Sequence, residues 1–472
     1  VGNIPADGKT NHGEAIDLIQ SPRSTGSILK PFLFAAMLQN GELLPTTLVS
    51  DIPSQYYGYA PENFDRKYRG ALPAAEALAK SLNIPAVRML KKFGLQRFHD
   101  FLENIGMRTL HRNASAYGLT LILGGAEGTL WDITNMYANV ARIANLGHIQ
   151  NPEFNEQYQS ITTIKGAQQD TGQRVELNPG SAWLTLEALL EVVRPGMEGF
   201  WKDFSSSQKI AWKTGTSYGL RDAWAIGTTP KYTVGVWAGN ASGEGHPEIS
   251  GINTAAPVLF DVFNFLPKSQ WFYEPSFFLK EVTVCKLSGQ LATPECDGVK
   301  TKIPIKTNFS DICPYHRTIH LDQTETYRVH SKCEDVSKMK HVSWFVLPPL
   351  HEYYYRKYNS GYKPLPPMRP DCEKKIADEP QLHPLQIVYP SYKTVIYIPV
   401  EMDETKSQTV FEAIHRTPKT TVYWHLDDQY LGATTNFHKL AYAPEKGDHT
   451  LILIDEKGNR VERKFKVLGK ED

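Results

Sequence analysis

Residues 24–32 are Ser-Thr-Gly-Ser-Ile-Leu-Lys-Pro-Phe, a stretch that places Ser27 three residues before Lys30. The same S-x-x-K spacing occurs at three other places in the chain, so this motif is weak evidence on its own. Two further motifs follow it, each present once: Ser81-Leu82-Asn83 and then Lys213-Thr214-Gly215. The ordered set S-x-x-K, S-x-N and K-T-G is a known catalytic constellation built around a nucleophilic serine.

The residue types of the first motif suit that chemistry. Ser27 and Lys30 share one face of a helix, so the lysine amine can reach the serine hydroxyl. A serine becomes a nucleophile when a neighbouring base takes its proton, and a neutral lysine can be that base. Burial and the cation of Lys213 both lower the pKa of a lysine in this position. We therefore predict Ser27 as the nucleophile and Lys30 as its base.

The start of the first helix follows from its proline. Pro31 has no N–H and is tolerated only in a first helical turn, so the helix begins close to Ser27. Apolar residues continue at helical spacing to Met37, and Asn40-Gly41 is a stop signal. Ser27 is then placed where free backbone N–H groups and the positive end of the helix dipole can hold an oxyanion.

The second motif lies between two helical stretches. Ala71–Lys80 is rich in alanine and leucine, and Pro85 suits the first turn of a following helix. We predict a loop in which Ser81 and Asn83 point into the same cleft. Capping of the second helix by one of these side chains is the alternative, and it is compatible with catalysis.

The third motif closes a predicted strand. Gln208–Trp212 favours a strand that ends in Lys213-Thr214-Gly215. Further strands are predicted at Ala223–Thr228 and Tyr232–Ala238, so an antiparallel meander is expected.

The edge of that strand is suited to hold a peptide. Gly215 has no side chain, so a substrate backbone can approach the strand and pair with it. A positive charge and hydroxyl donors for a carboxylate come together from Lys213, Thr214, Thr216 and Ser217.

The segment Ser21–Asn240 resembles the transpeptidase domain of the class A penicillin-binding proteins, and most of all their 1C subfamily. The stretches that carry the resemblance are Ser24–Phe32, Ser81–Val87, Leu121–Ala126 and Ala211–Gly227. The likeness continues through the C-terminal region and covers almost the whole chain. It implies an α/β (α+β) domain of the serine β-lactamase/transpeptidase type, with an antiparallel sheet flanked by helices.

The resemblance also implies roles for single residues. Ser27 is the residue that is acylated, and Lys30 activates it. Ser81 relays a proton to the leaving amine, and Asn83 binds the substrate amide. No cofactor or metal is required, because Lys30 and Ser81 supply the proton transfers.

The substrate is held on the other side of the implied site. Lys213, Thr214 and Thr216 bind the terminal carboxylate. The backbone N–H groups of Ser27 and Thr216 form the oxyanion hole.

The implied reaction is D,D-transpeptidation of peptidoglycan. The serine attacks the penultimate D-Ala carbonyl of a stem peptide, terminal D-Ala leaves, and an amine from another stem resolves the acyl-enzyme. β-Lactams acylate the same serine. Three alternatives stay open: a β-lactamase that activates water through Glu127, a D,D-carboxypeptidase, and a β-lactam-binding sensor or scaffold without turnover.

The N-terminus departs from the family pattern. Class A members begin with a cytoplasmic tail, a membrane helix and a glycosyltransferase domain. This chain starts at Val1 and has no apolar run long enough to span a bilayer. We expect a periplasmic fragment of a protein anchored in the bacterial inner membrane, with anchor and glycosyltransferase missing. Val1-Gly2-Asn3 resembles the end of the first strand of the transpeptidase sheet.

Length and charge agree with this picture. The 472 residues suggest about three domains, which we place at 1–270 (transpeptidase), 271–381 (linker) and 382–472 (C-terminal module). Fifty-one basic and fifty-one acidic residues cancel, so nothing attracts nucleic acid or an anionic membrane surface.

All five cysteines lie within Trp271–Asp378, a segment expected to be irregular: Cys285, Cys296, Cys313, Cys333 and Cys372. Disulfides are the expected chemistry for such a segment in an oxidising compartment. The family resemblance favours the pair Cys285–Cys296, which flanks a Ser-Gly turn. Zinc is the alternative, with Cys313, His316 and His320 at ligand-like spacing.

The C-terminal region changes to short alternating segments. Seven strands are predicted, with Trp424 in their core, at Gln386–Tyr389, Thr394–Val400, Thr409–His415, Val422–His425, Lys439–Tyr442, Thr450–Ile454 and Val461–Val467. We expect a small immunoglobulin-like sandwich of the type found in the 1C subfamily. Its expected role is to meet a partner, such as a cell-envelope protein.

Overall fold

The computed structural model describes residues 16–54, 56, 59–150, 157–159, 171–174, 177–193, 208–372, 383–398, 408–427 and 429–468. The predictions for Val1–Asn3 and for the boundary at 381/382 lie outside these residues. The described chain divides into two units. The first comprises residues from 1–49, 73–292 and 297–313, and the second comprises residues from 50–72, 293–296 and 314–472.

The helices described in the first unit surround one central helix. They are α1 (Lys30–Gln39), α2 (Ala74–Ala79), α3 (Asn83–Phe93), α4 (Leu95–Asn104), α5 (Ala114–Tyr117), α6 (Leu130–Asn145), α7 (Pro179–Leu190) and α8 (Ala256–Phe265). Every residue of α1 except Gln39 is buried, because apolar side chains point in all directions after Lys30 and the helix packs against α3, α4 and α7. No helix in the described ranges has both the length and the hydropathy that crossing a bilayer demands.

The strands up to residue 304 form small antiparallel sheets. They are β1 (Arg23–Ser24), β2 (Leu48–Asp51), β3 (Gly70–Pro73), β4 (Glu127–Gly128), β5 (Gln157–Gln159), β6 (Thr171–Arg174), β7 (Ala211–Thr216), β8 (Asp222–Thr228), β9 (Thr233–Gly239), β10 (Leu279–Cys285) and β11 (Gly298–Pro304). The chain leaves the first unit within β2 and returns to it within β3. Helices combined with antiparallel strands confirm the predicted fold class.

The largest described sheet of the first unit is the predicted meander, in the order β7-β8-β9. One detail of the prediction is wrong. The strand begins at Ala211 and not at Gln208; it carries the K-T-G motif as predicted and continues to Thr216, with Lys213 opposite Ile226 and Thr216 opposite Ala223. The middle strand β8 is buried throughout, since α6 and α8 pack against the sheet. The motif is therefore held by a ladder of backbone hydrogen bonds.

The second unit contains one described helix, α9 (Pro349–Tyr355), and ten strands. The strands are β12 (His316–Leu321), β13 (Lys340–Phe345), β14 (Leu385–Tyr389), β15 (Val395–Tyr397), β16 (Thr409–His415), β17 (Val422–Leu426), β18 (Gln429–Thr434), β19 (Lys439–Tyr442), β20 (Gly447–Asp455) and β21 (Arg460–Leu468). β12 and β13 pair with each other, β14-β16-β19 form one sheet, and β15-β21-β20-β17-β18 form another.

The last two sheets share one apolar core, and Trp424 in it is fully buried, as predicted. All seven predicted C-terminal strands are present where the structure describes them; residues 399–400 of the second lie outside. β18 was missed, although it follows β17 after a turn at Asp427, whose φ is +53°. The immunoglobulin-like topology stays a prediction.

The cysteine-containing segment is more regular than expected. Residues 271–372 contain β10 to β13 and α9, and they contribute to both units, so the division into three domains stays a prediction. At least one disulfide was expected, and Cys333–Cys372 is one. The pairing Cys285–Cys296 is wrong, because neither residue is disulfide-bonded and the sulfur of Cys296 lies 3.5 Å from Nδ1 of His316 instead.

The ion pair between Arg416 and Glu352 is a testable element of the second unit. Their side chains are 9% and 5% exposed, and Arg416 also donates to the carbonyl of Leu347 at 2.5 Å. Removing one member of a buried pair leaves the other charge uncompensated, at a cost of about 3–5 kcal/mol. We expect Arg416→Ala to lower the free energy of unfolding by this amount in urea titrations.

The matched control is Lys439→Ala, which removes an ion pair with Glu412 in which the lysine is 61% exposed. Exposed pairs contribute about 0–1 kcal/mol. Equal destabilisation by the two substitutions would contradict the interpretation.

Candidate active site

Ser27 lies in the turn that leads into α1. The helix begins at Lys30 with Pro31 in its first turn, which confirms that it starts close to Ser27. The N–H of Lys30 donates to the Ser27 carbonyl at 3.3 Å. The Ser27 side chain is half-buried, so its hydroxyl stays within reach of a ligand.

The Lys30 amine is buried and its contacts are specific. Its side chain ends beside the second motif, where Nζ donates to the Ser81 carbonyl at 2.7 Å and to Asn83 Oδ1 at 2.8 Å. Burial first, and then the charge of Lys213, hold the pKa of Lys30 well below its ordinary value of 10.5. Lowering the pKa of a buried amine favours its neutral form, which is the form that can act as a base.

The second lysine of the site, Lys213 in β7, also contacts Ser81. Lys213 Nζ donates to the Ser81 hydroxyl at 2.7 Å and to the Thr214 carbonyl at 2.8 Å. Lys213 is 1% exposed, and burial lowers its pKa to about 7. Ser81 therefore lies between the two lysines: its carbonyl accepts a hydrogen bond from Lys30, and its hydroxyl accepts one from Lys213.

The loop that carries Ser81 is strained. It connects α2 to α3, as predicted, and Ser81 has a φ of +55°, a left-handed conformation that costs a residue with a Cβ roughly 1–2 kcal/mol. Leu82 is the N-cap of α3, and no side chain caps this helix end, so the capping alternative is wrong. The strained backbone turns the Ser81 carbonyl and hydroxyl toward the two lysines.

Glycines let the Ser27 turn approach the edge of β7. A Cβ on Gly26, whose φ is +52°, would lie 2.7 Å from the backbone N of Thr216. A Cβ on Gly215 would lie 2.6 Å from the Thr25 carbonyl oxygen. Only glycine fits both places, and as a result the backbone at Ser27 lies beside the backbone at Thr216.

This close approach gives a test. We expect Gly26→Ala to slow acylation by a β-lactam about 10²-fold, because the new methyl group pushes the turn away from Thr216 and misplaces the reacting groups. The measurement is the acylation rate constant, with circular dichroism as a check on folding.

Gly118→Ala is the matched control. Gly118 has a similar φ of +56°, but its Cβ would meet no atom within 4 Å. This variant also places a Cβ at positive φ but displaces no neighbouring backbone, so it should acylate at close to the wild-type rate. A loss of equal size in both variants would show that backbone strain alone is responsible.

The remaining predicted residues of β7 have different surroundings. The hydroxyl of Thr216 accepts from the N–H of Gly251 at 3.0 Å. Ser217 is 4% exposed, and its hydroxyl accepts from the N–H groups of Asp222 and Arg221 at 2.8 and 3.2 Å. Ser217 thus stabilises the turn between β7 and β8. Thr214 and Thr216 follow Lys213 within β7 itself.

The sequence motifs missed residues that support the Ser27 turn. The hydroxyl of Tyr137 donates to the carbonyl of Ile28 at 2.7 Å, and Trp224 Nε1 donates to the carbonyl of Ser24 at 2.8 Å. The Thr25 hydroxyl donates to the carbonyl of Ala126 at 3.0 Å. Thr25, Ala126 and Trp224 lie in family-like stretches, but no motif singled them out, and Tyr137 lies outside those stretches.

Glu127, the residue named for the β-lactamase alternative, lies in β4. Its backbone pairs with Ser24 of β1, and its side chain is exposed.

Two family models match the chain. The model of the penicillin binding protein transpeptidase domain matches residues 5–262, which is more than half of the chain. The model of the Penicillin-Binding Protein C-terminus Family matches residues 376–465.

The individual proteins that this chain is similar to are also penicillin-binding proteins. The chain is 28% identical to penicillin-binding protein 1C of Escherichia coli K12, over 98% of this chain and 59% of that protein. It is 28% identical to penicillin-binding protein 1B of Vibrio cholerae, over 47% of this chain and 29% of that protein. Among solved structures, penicillin-binding protein 1A of Haemophilus influenzae is 21% identical, with a TM-score of 0.48 over 62% of this chain and 50% of that one.

The chain thus spans 59% or less of the length of these curated relatives. The resemblance to class A penicillin-binding proteins is confirmed by the matches. Because the transpeptidase model covers more than half of its residues, this chain belongs to the penicillin-binding protein transpeptidase domain family.

Proposed function

We propose that this chain is a peptidoglycan D,D-transpeptidase that works through an acyl-serine intermediate at Ser27. The observation that carries the proposal is the hydrogen bonding of the buried Lys30 amine. A neutral lysine amine has two hydrogens and one lone pair, and Lys30 Nζ donates hydrogen bonds to the Ser81 carbonyl and to Asn83 Oδ1. With both hydrogens donated, the lone pair is the acceptor for the hydroxyl proton of Ser27.

Acylation then follows in two steps. Oγ of Ser27 bonds to the penultimate D-Ala carbonyl carbon, its proton passes to Lys30, and the carbonyl oxygen becomes an oxyanion. The backbone N–H groups of Ser27 and Thr216 stabilise the oxyanion, which the close approach at Gly26 supports. The carbonyl then re-forms as the C–N bond to terminal D-Ala breaks, and Lys30 delivers its proton through the hydroxyl of Ser81 to the leaving amine.

Substrate binding uses the edge of β7. Lys213 supplies positive charge to the terminal carboxylate, and Thr214 and Thr216 supply hydroxyl donors. Because the Thr216 oxygen accepts from Gly251, its hydrogen is directed elsewhere, toward the carboxylate. Asn83 Oδ1 accepts from Lys30, which orients the amide so that its nitrogen is the donor to the substrate amide.

An amine from a second stem peptide resolves the acyl-enzyme. It attacks the ester carbonyl and gives up one proton to Lys30. The new C–N bond forms, the C–O bond to Ser27 breaks, and Lys30 returns the proton to the Ser27 oxygen. β-Lactams acylate the same serine. We extend the proposal to the whole protein: it is anchored in the inner membrane with this chain on the periplasmic side, it joins the transpeptidase to a glycosyltransferase, and its C-terminal module meets a cell-envelope protein.

Product analysis tests the reaction. The chain is incubated with a D-Ala-D-Ala stem peptide, with and without a second peptide that offers a free amine. We expect D-Ala release and a cross-linked dimer when the acceptor is present. Hydrolysed tetrapeptide alone would indicate a D,D-carboxypeptidase, and β-lactam binding without any D-Ala release would indicate a sensor. Either result would contradict the proposal.

A further inference from the structure

One face of α4 brings a histidine and two carboxylates together, outside the three sequence motifs. His99 and Glu103 are four residues apart, so they share a face of the helix, and Asp100 follows His99 directly. Nδ1 of His99 lies 3.8 Å from Oδ1 of Asp100 and 3.6 Å from Oε2 of Glu103. The three atoms all lie within 4.8 Å of one another. Three side chains that can each ligate a metal ion thus converge within the first unit.

The His99 ring is buried and its orientation is fixed. Only 7% of the side chain is exposed, and the ring lies against Tyr117 with 5.9 Å between the centroids. Nε2 lies 2.9 Å from the carbonyl oxygen of Arg112. Because a carbonyl oxygen can only accept, Nε2 carries the hydrogen, and the lone pair of the neutral ring is on Nδ1. Histidines that ligate a metal almost always donate their other ring N–H in this way.

The lone pair on Nδ1 lies beside two negative charges. Within the described ranges Nδ1 has no hydrogen-bond partner. Since a lone pair and two carboxylates repel one another, a positive ion belongs between them, either a proton on Nδ1 or a metal ion.

The distances favour the metal ion. A proton on Nδ1 would draw a carboxylate oxygen to hydrogen-bond distance, about 2.7–3.2 Å. The observed separations of 3.6 and 3.8 Å are longer. They are close to the roughly 3.4 Å that separates neighbouring ligand atoms around a tetrahedral ion with bonds of about 2.1 Å. We propose that His99, Asp100 and Glu103 bind one zinc ion on α4.

The donor set selects the metal. One imidazole nitrogen and two carboxylate oxygens suit zinc, whereas magnesium and calcium prefer a shell made of oxygen ligands only. Among the divalent ions that accept nitrogen and oxygen together, zinc binds more tightly than manganese or iron(II). Asp100 and Glu103 are 55% and 47% exposed, so the ion enters from solvent and its fourth position is open to water.

A neighbouring side chain orients one of the carboxylates. Gln96 Nε2, one turn earlier on α4, donates to Asp100 Oδ1 at 2.7 Å. An ionised carboxylate offers about four lone-pair sites, so Asp100 can accept this bond and still ligate an ion. Zinc bound by His99 and Glu103 would join two successive turns of α4, and the role of the site is to stabilise this helix.

This ligand set differs from the zinc alternative that spacing indicated, which was Cys313, His316 and His320. In the structure Nδ1 of His320 lies 2.6 Å from Nδ1 of His341, across the ladder between β12 and β13. The spacing of His99 and Glu103 is visible in the sequence. Only the fold shows that the His99 ring is buried and that its Nε2 meets a carbonyl.

Zinc binding by the chelator-treated, purified chain is the first measurement, made by isothermal titration calorimetry. Free thiols elsewhere in the chain also bind zinc, so the variants are compared with the wild type. We expect His99→Gln and Glu103→Gln each to weaken one zinc equivalent by at least the roughly 10–100-fold that loss of a supporting contact costs. His148→Ala, which removes an exposed histidine after α6, is the control and should bind zinc like the wild type.

Cobalt(II) identifies the ligand atoms. The difference spectrum between the wild type and Glu103→Gln should contain visible bands and no sulfur charge-transfer absorption, because the proposed ligands are nitrogen and oxygen. Charge-transfer absorption in that difference would show thiolate ligands and contradict the proposal. If His99→Gln fails to fold, Glu103→Gln still decides, since its side chain is half-exposed. Equal zinc affinity and stoichiometry in the wild type and Glu103→Gln would overturn the proposal and leave a protonated His99 between the carboxylates.

Discussion

Replacement of Ser27 by alanine is expected to abolish covalent labelling of the chain by a fluorescent penicillin. The hydroxyl of Ser27 is the group that opens the β-lactam ring. Ser27 is the serine that stands three residues before Lys30. Loss of a catalytic serine lowers rates by about 10⁶-fold, so no label should appear within hours. The measurement is fluorescence of the chain on denaturing gels over time.

The other S-x-x-K occurrences supply controls with the same spacing. Ser206→Ala, Ser337→Ala and Ser360→Ala should label at the wild-type rate. The surroundings of one occurrence show why: Ser337 donates to Asp335 at 2.8 Å, and Lys340 is half-exposed and paired with Glu325. The side chain of Lys340 is thus directed at Glu325 and not at the hydroxyl of Ser337. Labelling of the Ser27→Ala protein would contradict the assignment of Ser27 as the nucleophile.

Features that depend on short stretches of chain were predictable. Pro31 placed the start of α1 because its missing N–H restricts it to a first turn. The two helical stretches around Ser81 placed the second motif in a loop. The start of the K-T-G strand was wrong, because nothing in the sequence separates Gln208 from the strand residues that follow it. Pairing with β8 begins only at Ala211, opposite Thr228, and continues to Thr216.

The support of the Ser27 turn depends on distant residues and had no such signal. Tyr137 is 109 positions from Ile28, and Trp224 is 200 positions from Ser24. A tyrosine or tryptophan at helical or strand spacing indicates a core position, and nothing in its neighbours says which carbonyl its polar atom will meet. Only the assembled fold brings these pairs together.

The pairing of the cysteines likewise could not be predicted from the sequence. A disulfide pairing cannot be deduced from spacing alone, and the Ser-Gly turn after Cys285 was compatible with more than one partner. In the structure the turn directs its N–H groups at the sulfur of Cys285. The expected disulfide instead joins Cys333 and Cys372, 39 residues apart.

Lys30→Ala is expected to slow the acylation step about 10²–10⁴-fold while leaving reversible binding of a substrate analogue nearly unchanged. A general base acts in the transition state and contributes rate enhancements of this size. Lys213→Ala should impair binding as well, because it removes a charge that holds the carboxylate in the ground state. Stopped-flow acylation separates the binding constant from the rate constant. Identical signatures for the two variants would contradict this division of roles.

The pH dependence of acylation gives the second test of the two lysines. Lys30 must be neutral, so the rate rises with pH through its pKa, which lies well below 10.5. The charge of Lys213 contributes to that lowering. Its removal in Lys213→Ala must raise the pKa of Lys30, and the rising limb must move to higher pH.

Lys213→Arg keeps the positive charge and is the matched control, so its rising limb should stay near the wild-type position. Lys213 itself has a pKa of about 7 and loses its proton above that pH. Carboxylate binding should therefore weaken above pH 7 in the wild type but persist in Lys213→Arg, because a guanidinium stays protonated. A rising limb at the same pH in the wild type and Lys213→Ala would show that Lys213 does not tune the base, and that burial alone lowers the pKa of Lys30.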